Sequence, residues 1–444
     1  AVTMYRSLVA KSSSHYLPEM AASLDNLAIF LSGVGRQREA LEVVREATEI
    51  YRRLEEASPA TYASDLMVSL NNLALRLSGA GCRREALEAT QEAVGLCRGL
   101  AKELPDAYSH LLAALTDNLA VRLSEMGRLR EALDVAREAV EMYRDLVKTS
   151  KVSATTYSPD LALSLNNLAY FLSVAGNHDE AAEIGREAEC MYRDLVKESS
   201  REYVPKLAGV LANLATSLSM VRRLEEALDA AREGTQLRRD LAKESPAVYV
   251  PDLATSLGSL APLLWGVGRQ DEALEVAQEA VGLRRELAQA APEAYGPDLV
   301  TSLSNLVGIL TELQYRDEAL GAAQEALELY WDLMEVSPGV YSSDLAGALN
   351  NLSKFLSGVG RRGEALEVAR EAVRLYRELV EVSPGVYSSD LAGALNNLSK
   401  FLSGVGRRGE ALEVAREAVR LYRELVEVSP GVYSSDLAGA LNNL

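Results

Sequence analysis

Leu161, Leu165, Leu168 and Leu172 recur at steps of 4, 3 and 4, and beyond Gly176 the set Ala181, Ile184, Ala188, Met191 and Leu195 repeats steps of 3 and 4. That period lays each set along one stripe of an α-helix. Two stripes joined at a turn glycine predict an antiparallel pair, helix A followed by helix B. Ser158-Pro159-Asp160 supplies a start signal for helix A. Its hydroxyl is placed to cap, its proline fits the first helical position, and its carboxylate complements the positive end of the dipole. No β-alternation of useful length occurs, and Gly and Pro fall mostly at turns. The pattern therefore predicts an all-α fold.

The pair is one unit of a repeat. An Asn-Leu step recurs at Asn26, Asn72, Asn118, Asn167, Asn213, Asn305, Asn351 and Asn397, with Ser259 in the vacant slot and Asn443 opening one more. The spacing is 46 residues except for 49 between Asn118 and Asn167, where a polar stretch near Thr149 to Ser158 accommodates three extra residues in a loop. The expected organisation is a single solenoid over 1–444, about twenty helices in antiparallel pairs: a half-unit at 1–17, units at about 18–63, 64–109, 110–158, 159–204, 205–250, 251–296, 297–342, 343–388 and 389–434, and a half-unit at 435–444. Residues 335–380 and 381–426 are identical, and 427–444 begin a third copy, the mark of recent tandem duplication. A single hairpin has too little core to stand alone, so its apolar faces are expected to be buried against its neighbours.

The tyrosines follow the same register. Tyr16, Tyr62, Tyr108, Tyr157, Tyr203, Tyr249, Tyr295, Tyr341, Tyr387 and Tyr433 fall just ahead of the expected helix A. Tyr5, Tyr51, Tyr143, Tyr192, Tyr330, Tyr376 and Tyr422 share a place late in helix B. Placement this regular reads as a structural staple, with each ring packed at a unit boundary, ahead of the alternative that the rings stack on a ligand.

Leu27-Ala28, Leu31, Gly35, Ala40 and Ala47 put small residues where two helices approach and apolar residues between them. The Ala40 place is alanine in all nine units, and the Ala47 place is small in all nine, with Gly234 the one non-alanine. In this the chain resembles the tetratricopeptide repeat, in the long-helix form of kinesin light chains and of fungal and bacterial signalling arrays. The departures are the 46-residue length and the residues Arg222 and Gln314 where a turn glycine is expected. The resemblance implies a right-handed superhelix with a concave wall of A helices, a protein-binding module and no enzyme. It also implies that the ladder asparagine contacts bound segments.

Composition narrows the partners. With 46 Lys+Arg against 64 Asp+Glu the formal charge is −18, which repels phosphate backbones and anionic membrane surfaces, so neither nucleic acid nor membrane is expected. No secretory signal is present and the cysteines Cys82, Cys97 and Cys190 have no disulfide or zinc spacing, which points to a cytoplasmic chain with free thiols. Residues 335–380 and their copy carry balanced charge, so any preference for a basic partner belongs to the first seven units.

No catalytic, metal or cofactor site is expected. Gly358, Gly360 and Gly363 spell a dinucleotide fingerprint, yet they follow a helix and not a strand. His15, His110 and His178 sit at different repeat positions and build no metal pair or dyad. The functional candidates are the ladder asparagines, Asn26, Asn72, Asn118, Asn167, Asn213, Asn305, Asn351 and Asn397, each offering a donor and an acceptor to an extended peptide or protein segment. The competing role for the same amides is to tie adjacent A helices together. Three residues beyond each asparagine the side chain varies, ending in Tyr170, Thr216, Pro262, Gly308, Lys354 and Lys400, a pattern produced either by a repeat groove that encodes specificity there or by unconstrained drift. The sixth unit adds Trp265 beside Pro262, where a kink is expected and the indole either anchors a partner or fills the core. The alternative to a scaffold is a structural solenoid that self-associates through uncapped ends.

Overall fold

The computed structural model describes residues 4–6, 13–149, 156–199, 201–336, 343–382, 384–428 and 430–444. The three-residue insertion and Tyr341 lie outside them. The chain divides into two compact units, 1–222 and 223–444.

Among the described residues the first unit holds a 3-10 turn at Ser13–Tyr16 and nine α-helices: α1 (Leu17–Gly33), α2 (Gln37–Ala57), α3 (Pro59–Gly79), α4 (Arg83–Glu103), α5 (Pro105–Glu125), α6 (Leu129–Thr149), α7 (Ser158–Val174), α8 (His178–Ser199) and α9 (Val204–Met220). The second holds ten: α10 (Leu224–Glu244), α11 (Pro246–Gly266), α12 (Gln270–Ala290), α13 (Pro292–Glu312), α14 (Arg316–Val336), α15 (Ser343–Gly358), α16 (Arg362–Val382), α17 (Pro384–Gly404), α18 (Arg408–Val428) and α19 (Pro430–Leu441). Odd numbers are A helices and even numbers B helices. The described residues contain no strand, and the fold is an all-α array of helix hairpins.

Hairpins close where the alanines allow it. Ala40, Ala86, Ala132, Ala181, Ala227, Ala273, Ala319 and Ala365 are wholly buried and Ala411 nearly so, because a larger side chain there would hold the two helices apart. Leu161, Leu165, Leu168 and Leu172 form the buried stripe of α7, and the late-B tyrosines Tyr51, Tyr143, Tyr192, Tyr330, Tyr376 and Tyr422 are buried as well. At that place Cys97, Arg238 and Arg284 replace tyrosine. The Arg284 guanidinium is satisfied internally, donating to the Asp298 carbonyl at 2.9 Å and to Ser302 at 2.5 Å.

The turns inside eight of the nine hairpins close in one way, that at Arg222 lacking the closing bond among the described residues. The Arg36 amide reaches back to the Leu31 carbonyl at 2.9 Å while Gly35 takes φ +80°, a left-handed cap that glycine enters without steric cost. Arg222 and Gln314 adopt the same conformation at φ +62° and +64°. Gly360 of the apparent dinucleotide fingerprint is such a turn residue, at φ +86°.

Helix starts depart from the expectation. Six A helices begin at a proline three residues ahead of the tyrosine, so Tyr62, Tyr108, Tyr249, Tyr295, Tyr387 and Tyr433 lie in the first turn and not ahead of it. The proline has no N–H to lose at that position, which makes Pro59 and its equivalents natural openings. Ser158 is the first residue of α7, and Tyr157 holds the cap place. Pro262 lies inside α11, which continues to Gly266. That helix alone among those described has the length and apolar character of a membrane span, and it buries Leu253, Leu257, Leu260 and Leu264.

Candidate binding groove

Two side-chain ladders stitch successive hairpins, one along each set of helices. On the A helices, Asn118 Nδ2 donates to Asn71 Oδ1 at 3.0 Å, Asn167 to Asp117 at 2.8 Å, Asn213 to Asn166 at 3.0 Å and Asn397 to Asn350 at 3.1 Å. The acceptor is always the residue just before the ladder asparagine of the preceding repeat. On the B helices an arginine reaches a glutamate one repeat on. Arg52 pairs with Glu92 and Arg98 with Glu138 at 2.6 and 2.7 Å, Arg239 with Glu279 and Arg377 with Glu417 at 2.7 Å. Arg370 likewise reaches Glu410 across the seam, whereas Arg374 stays on its own helix with Glu371 and Glu378.

The asparagine ladder has a gap in the second unit. The acceptor place is Gly258 on α11 and Ser304 on α13, and neither offers an amide or carboxylate oxygen. Ser304 instead donates to the Ala348 carbonyl of α15 at 3.1 Å. Asn305 and Asn351 are exposed, and they make no side-chain hydrogen bond among the described residues. Asn26 and Asn72 also lack such a bond, whereas Asn118, Asn167, Asn213 and Asn397 are half-buried and engaged.

At this gap a groove of about 1020 Å³ opens between α11, α13 and α15, with the start of α14 at one side. Pro262 and Trp265 come from α11, Asn305, Gly308 and Glu312 from α13, Asp317 from α14, and Asn351, Lys354 and Phe355 from α15. The structure thus brings together six of the residues singled out in the sequence: Asn305, Asn351, Trp265, Lys354, Pro262 and Gly308. Trp265 is half-buried, neither sealed in the core nor free in solvent. Among the described residues Lys354 has no ion-pair partner, and burial pulls its ammonium below the ordinary lysine range. Tyr170 and Thr216 are exposed on α7 and α9 in the first unit, and Lys400 is exposed on α17, all away from the groove lining.

Sequence reasoning missed His110, whose Nε2 lies 2.9 Å from Asp160 Oδ2 and whose ring rests 5.0 Å from that of Tyr157, joining α5 to the start of α7. A histidine fifty residues from its partner leaves no local signal. Among the described residues no group of three or more His, Cys, Asp or Glu side chains is arranged to hold a metal ion.

The chain matches the tetratricopeptide repeat at residues 20–58, 112–150, 161–202, 253–290, 345–384 and 391–430. These matches cover more than half of it, and the chain belongs to the tetratricopeptide repeat family, whose arrays serve in general as protein-interaction scaffolds. Residues 57–116 also match anaphase-promoting complex subunit 5. No curated protein matches the sequence. Among solved structures, the apo form of RapI is similar at TM-score 0.57 and 14% identity, over 91% of this chain and 99% of that one. A Rap protein complexed with Competence and Sporulation Factor gives 0.50 and 14%, over 92% and 99%. BtubC from P. vanneervenii gives 0.46 and 19%, over 58% and 94%. At these identities the likeness is one of fold.

Proposed function

We propose that the protein is a non-catalytic scaffold that holds an extended peptide or protein segment along its A helices, and that the segment is gripped at the gap in the asparagine ladder. The observation that carries this reading is the groove beside Asn305 and Asn351, whose amides make no side-chain hydrogen bond among the described residues, where those of Asn118, Asn167, Asn213 and Asn397 are engaged with their neighbours. An extended backbone pairs with such amides through one donor and one acceptor each. Trp265 and Phe355 supply apolar contact, Lys354 faces an acidic side chain, and Glu312 and Asp317 face a basic one. The overall charge of −18 favours a partner that is basic on the whole.

Selection of phage-displayed peptides on the full chain tests this. Peptides are expected to enrich whose affinity falls tenfold or more for the pair Asn305→Ala and Asn351→Ala, with melting unchanged. The pair Asn118→Ala and Asn167→Ala is expected to do the reverse, lowering melting and sparing affinity. Enriched peptides that ignore Asn305 and Asn351 would overturn the assignment of the groove.

A further inference from the structure

Asp25 lies on the buried side of α1, at the place that Asn71, Asp117 and Asn166 occupy in the next repeats. Ser69 Oγ of α3 is 3.1 Å from its Oδ1, and Thr48 Oγ1 of α2 is 2.9 Å from Ser69 Oγ. Thr48 Oγ1 is in turn 2.9 Å from the Val44 carbonyl oxygen. Asp25, Thr48 and Ser69 are all buried, at 8%, 1% and 0% exposed, so water has little access to fill a missing bond.

Three oxygen-to-oxygen contacts need three hydrogens, and two hydroxyls carry only two. A carboxylate at Asp25 leaves one close pair facing lone pair to lone pair. A carboxylic acid completes the chain: Asp25 donates to Ser69, Ser69 to Thr48, and Thr48 to the Val44 carbonyl. Asp117 is the contrasting case. There Ser164 donates to Oδ1 at 2.9 Å and Asn167 to Oδ2 at 2.8 Å, an arrangement matched to the ionised form.

We propose that Asp25 is held as the neutral acid in the folded protein, and that its proton is a latch joining α1, α2 and α3, so that proton loss loosens this first seam. The titratable groups around it are Asp65 of α3, which repels a negative charge, and Tyr51 of α2, whose hydroxyl is pushed up by burial and then by Asp65, Asp25 and Glu19. None is a base. Burial pushes Asp25 up to about 6, with donation from Ser69 to the ionised form opposing and Asp65 adding to the rise. A folded value above the ordinary carboxylate range of about 4 means that the folded chain takes up the proton first. Stability at the seam therefore falls as pH rises from about 4 to 6 and levels off above.

Difference infrared spectra of the full chain test the proton directly. A protonated-carboxyl band is expected at pH 5, lost by pH 7.5 and absent from Asp25→Asn. Thr48→Val frees the Ser69 hydrogen for the carboxylate and is expected to lower the band's midpoint by about one pH unit, a tenfold loss of proton affinity. Burial without the chain predicts a midpoint that stays or rises. Amide exchange over residues 59–79, corrected for intrinsic rates, is expected to lose protection between pH 5 and 7 in the wild type and to stay level in Asp25→Asn. Absence of the Asp25 band at pH 5, or a Thr48→Val midpoint that does not fall, overturns the proposal.

Discussion

Asn167 donates to Asp117 at 2.8 Å across the seam between α5 and α7, while Ser164 holds the other carboxylate oxygen at 2.9 Å. Asp117 is buried, so the two donors stand in for the water it has lost. Asn167→Ala removes one of them and is expected to cost about 1–3 kcal/mol. Asn305→Ala removes no side-chain hydrogen bond among the described residues and is expected to stay within about 0.5 kcal/mol of the parent. Urea titrations of the two variants, read by circular dichroism, compare them; equal losses would give the two asparagines the same structural role.

The B-helix ladder is a second, weaker stitch. Arg52 grips Glu92 with two donors, at 3.0 and 2.6 Å, but both side chains keep substantial contact with water. A double-mutant cycle on Arg52 and Glu92 should therefore return a coupling of about 0.2–1 kcal/mol. It should fade in 1 M salt, where the screening length shrinks to about 3 Å. Gln278 occupies the arginine place opposite exposed Glu318, so Gln278→Arg should add a rung and raise stability by a few tenths of a kcal/mol. A coupling that survives high salt would point to desolvated pairs.

Much of this was legible in the chain because it is local. The steps of 3 and 4 residues gave the helices, and the invariant small residues at the Ala40 and Ala47 places gave the close approach of A to B. Lateral partners were harder to see, since they depend on how one hairpin is set against the next. The signals exist in hindsight as fixed offsets: Arg52 to Glu92 and Arg98 to Glu138 are 40 residues apart, and Asn118 to Asn71 is 47. The groove left a fainter trace, the substitution of Gly258 and Ser304 at the acceptor place, meaningful only once that place is known to accept a bond. Helix starts were misplaced because proline three residues before tyrosine opens a helix as readily as it ends one.

Gln314 turns from α13 into α14 at φ +64°, a place filled by glycine at Gly268, Gly360 and Gly406. A side chain there pays a steric penalty that glycine avoids, offset in part by the greater freedom glycine has when unfolded. Gln314→Gly is expected to raise stability by about 0.5–1 kcal/mol, and Gly268→Ala to lower it by about 1 kcal/mol. Thermal melts of the two single variants check both signs at once.

Tyr192 and Tyr330 share one repeat position and differ in what their hydroxyls find. Both rings are sealed in the core, at 1% and 0% exposed. Tyr330 donates to Glu371 at 2.7 Å, a bond to a charged acceptor. The Tyr192 hydroxyl has no partner among the described residues. Removing the first leaves a half-buried carboxylate short of a donor, so Tyr330→Phe is expected to cost about 1.5–3 kcal/mol. Removing the second discards a polar group already stripped of water, so Tyr192→Phe is expected to be neutral or to gain up to about 1 kcal/mol. Denaturant midpoints for the pair decide the matter. A loss at Tyr192 as large as that at Tyr330 would mean that an ordered water completes the hydroxyl's bonding in solution, because the aromatic packing is the same in both variants.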